Sequence, residues 1–97
     1  MKEEKIQLIH PAGKKLPQID KRKYDKMRKA ILDSLRQGPL THKEMYHTIV
    51  EAFHKGKVKF EGAVEWYLEG VKLDLEAAKQ IQRLNESPPY QWRLFKR

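Results

Sequence analysis

Ala30-Ile-Leu-Asp-Ser-Leu-Arg-Gln-Gly-Pro-Leu-Thr-His-Lys-Glu-Met45 contains the end of one helix, a turn and the start of a second helix. Gly38 supplies the left-handed position that commonly ends a helix, and Pro39 prevents its continuation. Thr41-His-Lys-Glu44 has the form of a capping box, in which the threonine hydroxyl and the glutamate carboxylate each accept the other residue's free backbone N–H.

Upstream of this stretch, Asp20 can cap a helix, and Tyr24, Met27, Ile31 and Leu35 recur at spacings of three and four, which predicts a first helix over 21–37. Downstream, Met45, Ile49, Ala52 and Phe53 form an apolar stripe with Tyr46 and Val50 beside it, so a second helix is expected over 42–55, stopped by Gly56. After a connecting loop at 57–61, Val64, Tyr67, Leu68, Val71, Leu75 and Ala78 make a third stripe over 62–79, widened by Trp66, Leu73 and Ala77. Residues 81–84 and 90–95 read as two strands flanking the turn residues Asn85-Glu-Ser-Pro-Pro89, with Tyr90, Trp92 and Leu94 on one face and Gln91 and Arg93 on the other. Weak alternation over 6–9 is read as a short strand, and Pro11, Gly13 and Pro17 make a loop of the residues between it and Asp20. The expected fold is α+β and mostly α: three helices and a C-terminal two-stranded β-hairpin over 20–97, preceded by an extended segment over 1–19.

A chain of 97 residues has room for one core. With 39% hydrophobic and 35% charged residues it suits a small globule, and without cysteine it must hold by packing rather than by disulfides. No apolar run approaches the roughly 20 residues that span a bilayer, and the first five residues are charged rather than the start of a signal sequence. A cytoplasmic protein without membrane contact is therefore expected. The net charge of +8 suggests polyanionic partners, yet it is unevenly spread: Lys and Arg outnumber Asp and Glu by 11 to 5 over 1–36 and by 4 to 1 over 80–97, but are outnumbered by 4 to 2 over 62–79.

The order helix, Gly-Pro-Leu-Thr turn, capped helix, longer helix, hairpin resembles the winged helix-turn-helix superfamily. Two segments carry the likeness, residues 30–45 and Val71-Lys-Leu-Asp-Leu-Glu-Ala-Ala-Lys-Gln-Ile-Gln-Arg83. The whole sequence, through His10-Pro-Ala-Gly-Lys14, Lys23-Tyr-Asp, Trp66-Tyr67 and Lys72-Leu-Asp-Leu-Glu76, also resembles a family of small uncharacterised bacterial proteins with a winged-helix-like domain. That resemblance implies a fold and no activity. Where winged-helix proteins commonly place glycine after the third helix, this chain has Lys79. A left-handed lysine costs about 1 kcal/mol relative to glycine, so the helix is expected to run on to Gln80 or to end without that turn.

The superfamily resemblance implies DNA binding, with the third helix in the major groove. Spacing, however, puts Glu65, Glu69, Lys72, Glu76 and Lys79 on that helix's solvated face with Asp74 close by, and its carboxylates would meet phosphates unfavourably. The leading expectation is therefore a nucleic-acid-binding domain whose contacts go mainly to phosphate. Its candidates are Lys21, Arg22, Lys23 and Lys26 on helix one, Thr41, His42 and Lys43 at the start of helix two, and Arg83 and Arg93 on the hairpin. The alternative is a protein-interaction or homodimerisation module that uses Trp66, Leu73 and Ala77 beside the core stripe, against the equal expectation that the N-terminal segment, through Ile6 and Leu8, or the hairpin covers those residues. No catalytic, cofactor-binding or metal-binding residue is expected. Ser34 and Ser87 lack a nucleophile setting, Gly13-Lys14-Lys15 lacks the spacing of a phosphate-binding loop, and His47, Glu51 and His54 span about 10 Å of one helix face, too far for one ion.

Overall fold

Asp20 opens the first helix by accepting the Arg22 N–H at 2.7 Å. In the computed structural model, which describes residues 4–95, helix α1 covers Lys21–Ser34 and buries Met27 and Ile31 completely. It ends three residues before the expected limit. The Ser34 hydroxyl donates to the Ile31 carbonyl, and Arg36 and Gly38 donate their N–H groups three residues back, which tightens 35–38 into turns. Gly38 takes φ +143° there. Helix α2, His42–Lys55, starts at the capping box: the Glu44 N–H donates to Thr41 Oγ1 at 3.2 Å, and the Thr41 N–H donates to Glu44 Oε1 at 2.9 Å. Helix α3 covers Val64–Ala77, two residues shorter at each end than its stripe implies. Gly62 turns the chain into it with φ +106°, and a Cβ at that position would lie 2.8 Å from the Tyr67 ring. The same ring meets Phe60 edge-on at 5.3 Å, and Phe60 stacks on Phe53 at 5.5 Å, so aromatic contacts fix the α2–α3 connection.

Both α2 and α3 end on a left-handed lysine. Lys57 (φ 51°) and Lys79 (φ 58°) occupy the position usually given to glycine, and each is followed by the long reverse hydrogen bond of a Schellman turn, Val58 N–H to Phe53 O and Gln80 N–H to Leu75 O, both 2.9 Å. The helix neither runs on to Gln80 nor avoids the left-handed turn. Two satisfied carbonyls and the onward path into the next strand outweigh the strain at Lys79.

The strands make two small antiparallel sheets. Residues read as a loop after the first strand form a second one: β1, Lys5–Ile9, pairs with β2, Lys15–Asp20, around a turn in which Gly13 adopts φ +79°. The register shifts between Gln7 and Ile9, so that Leu16 and Pro17 together face Leu8. Such a bulge admits a proline that cannot donate, and the Gln7 side chain supplies donors to the Leu16 and Leu8 carbonyls at 2.6 and 3.0 Å. The second sheet has the order β3-β5-β4, with β3 at Leu40–Thr41, β4 at Ile81–Arg83 and β5 at Gln91–Leu94. β3 lies in the turn between the first two helices, where Leu40 faces Trp92 and Thr41 faces Gln91, tying the α1–α2 connection to the C-terminal strands.

One core joins these layers. Met27, Ile31 and Leu35 of the α1 region meet Met45 and Ile49 of α2, Leu68, Val71 and Leu75 of α3, Ile81 and Trp92 of the second sheet, and Leu8 and Ile19 of the first. The N-terminal hairpin is thus part of the core. Leu8 closes on Gly70 so tightly that a Cβ there would sit 2.9 Å from Leu8 Cδ1. Asp74 secures the same joint, accepting the Ile9 N–H at 2.9 Å and the Tyr24 hydroxyl at 2.7 Å.

Candidate interaction surfaces

The surface that would carry recognition in a helix-in-groove reading is the outer side of α3, and two of its residues lie elsewhere than spacing implies. Lys72 is only 2% exposed and Asp74 7%, because β5 covers one flank of α3 and the N-terminal hairpin the other. Asp74 faces the hairpin and α1. Lys72 is enclosed by α2 and β5. Its Nζ lies 2.8 Å from His42 Nδ1, 3.4 Å from Glu69 Oε2 and 3.8 Å from the centre of the Trp92 ring. An ammonium can only donate, so His42 accepts on Nδ1 and presents its Nε2 toward Glu65, 3.6 Å away. The three N–H groups of Lys72 thereby have three partners, a nitrogen, a carboxylate and a π-face. The Trp92 indole N–H in turn donates to the Glu76 carboxylate. Burial pushes the Lys72 amine below its ordinary value, with Arg83 adding to the fall and Glu69 and Glu76 opposing it. Burial and then the Lys72 charge push His42 down as well. The carboxylates of Glu65 and Glu69, 72% and 54% exposed, are left facing solvent.

The nucleic-acid candidates fall on opposite sides of α3. Lys23 donates to the Tyr67 hydroxyl at 3.2 Å, whereas His42 faces Glu65 and Glu69. Positions two apart on a helix point about 200° from each other, so α3 stands between the two groups. On the α1 side, Lys21 pairs with Asp25 at 2.8 Å, and Lys26 reaches the Lys59 carbonyl at 3.1 Å; Arg22 and Lys26 are exposed. On the other side, Thr41 is used by the capping box, His42 by Lys72, and Arg93 by Gln82 at 3.2 Å. Lys43 is exposed, and Arg83 is exposed with its guanidinium 4.8 Å from the centre of the Tyr90 ring.

Two of the three interface candidates do come together. Trp66, 52% exposed, and Leu73 line a groove of about 140 Å³ whose other wall is Leu8, Leu16 and Pro17 from the hairpin, with Gly70 as its floor. Ala77 is half-buried at the end of α3 and lies outside that groove. Of the hairpin wall, Leu8 is the residue the sequence offered as a neighbour of this flank; Leu16 and Pro17 join it only because the bulge turns both toward Leu8. A second groove, about 340 Å³, separates α1 from α2. His47, Glu51 and His54 are all exposed, and among the described residues no group of three His, Asp or Glu side chains could hold a metal ion. No buried side-chain nitrogen or oxygen among them lacks a hydrogen-bond partner. No helix of the described residues is long and apolar enough to cross a membrane.

These features define an α+β protein of three helices and two small antiparallel sheets, whose exposed surfaces are a charged helix face and two apolar grooves. The chain belongs to the family of unknown function DUF6958, whose model matches residues 5–92. No curated protein and no solved structure matches it.

Proposed function

We propose that this chain is a non-enzymatic protein-interaction module of winged helix-turn-helix type that pairs with a second copy of itself through the groove between α3 and the N-terminal hairpin. The β3-β5-β4 order, with β3 between the first two helices, supports the winged-helix reading, β4 and β5 being the wing. The observation that carries the interaction is the placing of Trp66 beside a hole of its own making. A projecting, half-exposed indole and an apolar groove lined by Leu8, Leu16 and Leu73 sit on one patch, so a two-fold axis lets each copy's tryptophan enter the other's groove. Sedimentation equilibrium from about 10 μM to 1 mM tests this. A dimer is expected that Trp66→Ala and Leu73→Glu convert to monomer with unchanged circular dichroism. Because each copy carries +8, salt should tighten the dimer. A wild-type monomer at 1 mM sinks the reading.

A second reading, contact with nucleic-acid phosphates, is favoured by the exposed Arg22 and Lys26 with Lys59 beside them. Because contacts to phosphate carry no sequence information and release counterions, binding should be weak in sequence preference and lost with added salt. Duplex DNA titrated at two salt concentrations separates the two, since the dimer responds to salt in the opposite sense, and no binding at low salt removes this reading.

A further inference from the structure

The larger groove, between α1 and α2, shares no residue with the Trp66 surface. Its α1 wall is Lys26, Lys29, Ala30, Asp33 and Ser34, and its α2 wall is Thr48, Ala52 and Phe53, closed at one end by Val58. Small side chains at Ala30, Ser34, Thr48 and Ala52 keep the two helices from filling the space between them. The trough runs for about two helical turns, roughly 12 Å, between two helix ridges. That is the shape into which a third helix lays an apolar stripe. Ala52 and Val58 are exposed in it, Val58 at 39%.

Charge decides what the third helix carries. Lys26 and Lys29 stand on the rim, and the Lys26 contact with the Lys59 carbonyl brings the loop holding Lys57 and Lys59 to the same end. The acid on the rim, Asp33, is engaged by Lys29 at 2.9 Å and by Arg36 at 3.2 Å. A net charge of +8 draws anionic partners to the whole chain and repels cationic ones.

We infer that the α1–α2 groove is a docking site for an acidic amphipathic helix of another protein, which seats its apolar stripe on Phe53, Ala52 and Val58 and its carboxylates against Lys26 and Lys29. This surface is independent of the homodimer face, and either can fail alone. The test uses the full chain and two amidated sixteen-residue peptides, identical in their leucine stripe, one with glutamate and one with lysine at every other position. Fluorescence anisotropy should show saturable binding of the glutamate peptide, at least about tenfold tighter than the lysine peptide. Ala52→Arg, at an exposed position, should weaken it about tenfold or more by filling the trough, even though it adds a positive charge; Thr48→Arg provides the same block one turn away. Trp66→Ala should leave peptide binding unchanged. No saturable binding up to about 1 mM, or equal binding of the two peptides, overturns the inference. So does binding that survives both arginine substitutions but is displaced by duplex DNA, which would assign the lysines to phosphate.

Discussion

Lys72 is a lysine used as a core residue. Its stem lies in the interior and its ammonium links α3 to the first turn of α2 through His42 and to β5 through Trp92. Its folded pKa is lowered from 10.5, chiefly by burial, so the unfolded chain binds more protons between the lowered value and 10.5. The part of the stability that depends on this group is therefore smallest below that window and rises with pH across it. Replacing Lys72 by Met keeps the volume of the stem and removes the buried charge. No other charge is stranded, because the Glu69 carboxylate is 54% exposed. The unfolding free energy of Lys72→Met from urea melts at pH 7 is expected to equal or exceed that of the wild type by up to about 1 kcal/mol, with the difference shrinking toward pH 10. Lys72→Ala empties the site and should instead cost about 2–4 kcal/mol. A Lys72→Met variant destabilised at pH 7, by an amount that shrinks toward pH 10, would show that the ammonium, rather than the space it fills, holds α2 in place. His42 is lowered from 6.5 by burial first and by the Lys72 charge second, so its titration should move back up toward 6.5 in the same variant, as read from its ring proton shifts.

At the scale of elements, the ends of α2 and α3 depart from ordinary helix chemistry in the same way. Lys57 and Lys79 are held at positive φ by paired reverse hydrogen bonds, and glycine relieves the clash between Cβ and backbone at such a position. Lys57→Gly and Lys79→Gly should each stabilise the chain by up to about 1 kcal/mol, and the effects should add because the two turns follow different helices. For a domain of this size that is about 4–8 °C in thermal midpoint per substitution, and a fall in the midpoint would contradict the assignment of these turns. Local signals made the helices legible in advance. The Thr41 capping box fixed the start of α2, the three- and four-residue stripes fixed which faces turn inward, and Pro39 fixed the break between α1 and α2. What the sequence concealed depends on contacts between distant residues. β3 is two residues long and exists because Trp92 and Gln91 lie opposite it, and β2 contains a proline that sits on a bulge against Leu8. The burial of Lys72 and Asp74 has the same origin: their spacing on α3 points away from the apolar stripe, and they become interior only because β5 and the hairpin close over its flanks. For the candidate surfaces, the sequence picked out Trp66 and Leu73 and offered Leu8 of the N-terminal segment as a neighbour, but not Leu16 and Pro17, which complete the wall opposite them.

For the whole molecule, the N-terminal hairpin decides whether 97 residues make an adequate core. Leu8 and Ile19 are 3% and 4% exposed and belong to the same cluster as the helices, although they come from the stretch whose prolines and glycine suggest an extended segment. Removing residues 1–14 would delete β1 and leave β2 unpaired. Burial of a leucine side chain is worth about 1.5–3 kcal/mol, and the hydrogen bond from the Ile9 N–H to the Asp74 carboxylate, being charge-assisted, about 1.5–3 kcal/mol more. Asp74 would keep the Tyr24 hydroxyl, whose pKa burial and that same carboxylate raise, but would lose its second donor. The truncated chain should therefore be less stable by roughly 3–6 kcal/mol, a large share of the 5–15 kcal/mol that domains usually possess. Exposure of Leu73 and Gly70 should also make it bind a hydrophobic dye, and with one wall of the Trp66 groove gone it should no longer dimerise. Leu8→Ala separates the two consequences. It costs about 2–4 kcal/mol from the core yet leaves Leu16, Pro17 and the β1–β2 ladder in place, so dimerisation should weaken without vanishing. If truncation left the urea midpoint unchanged, the hairpin would be an appendage, and the three helices with the β3-β5-β4 sheet would account for the stability by themselves.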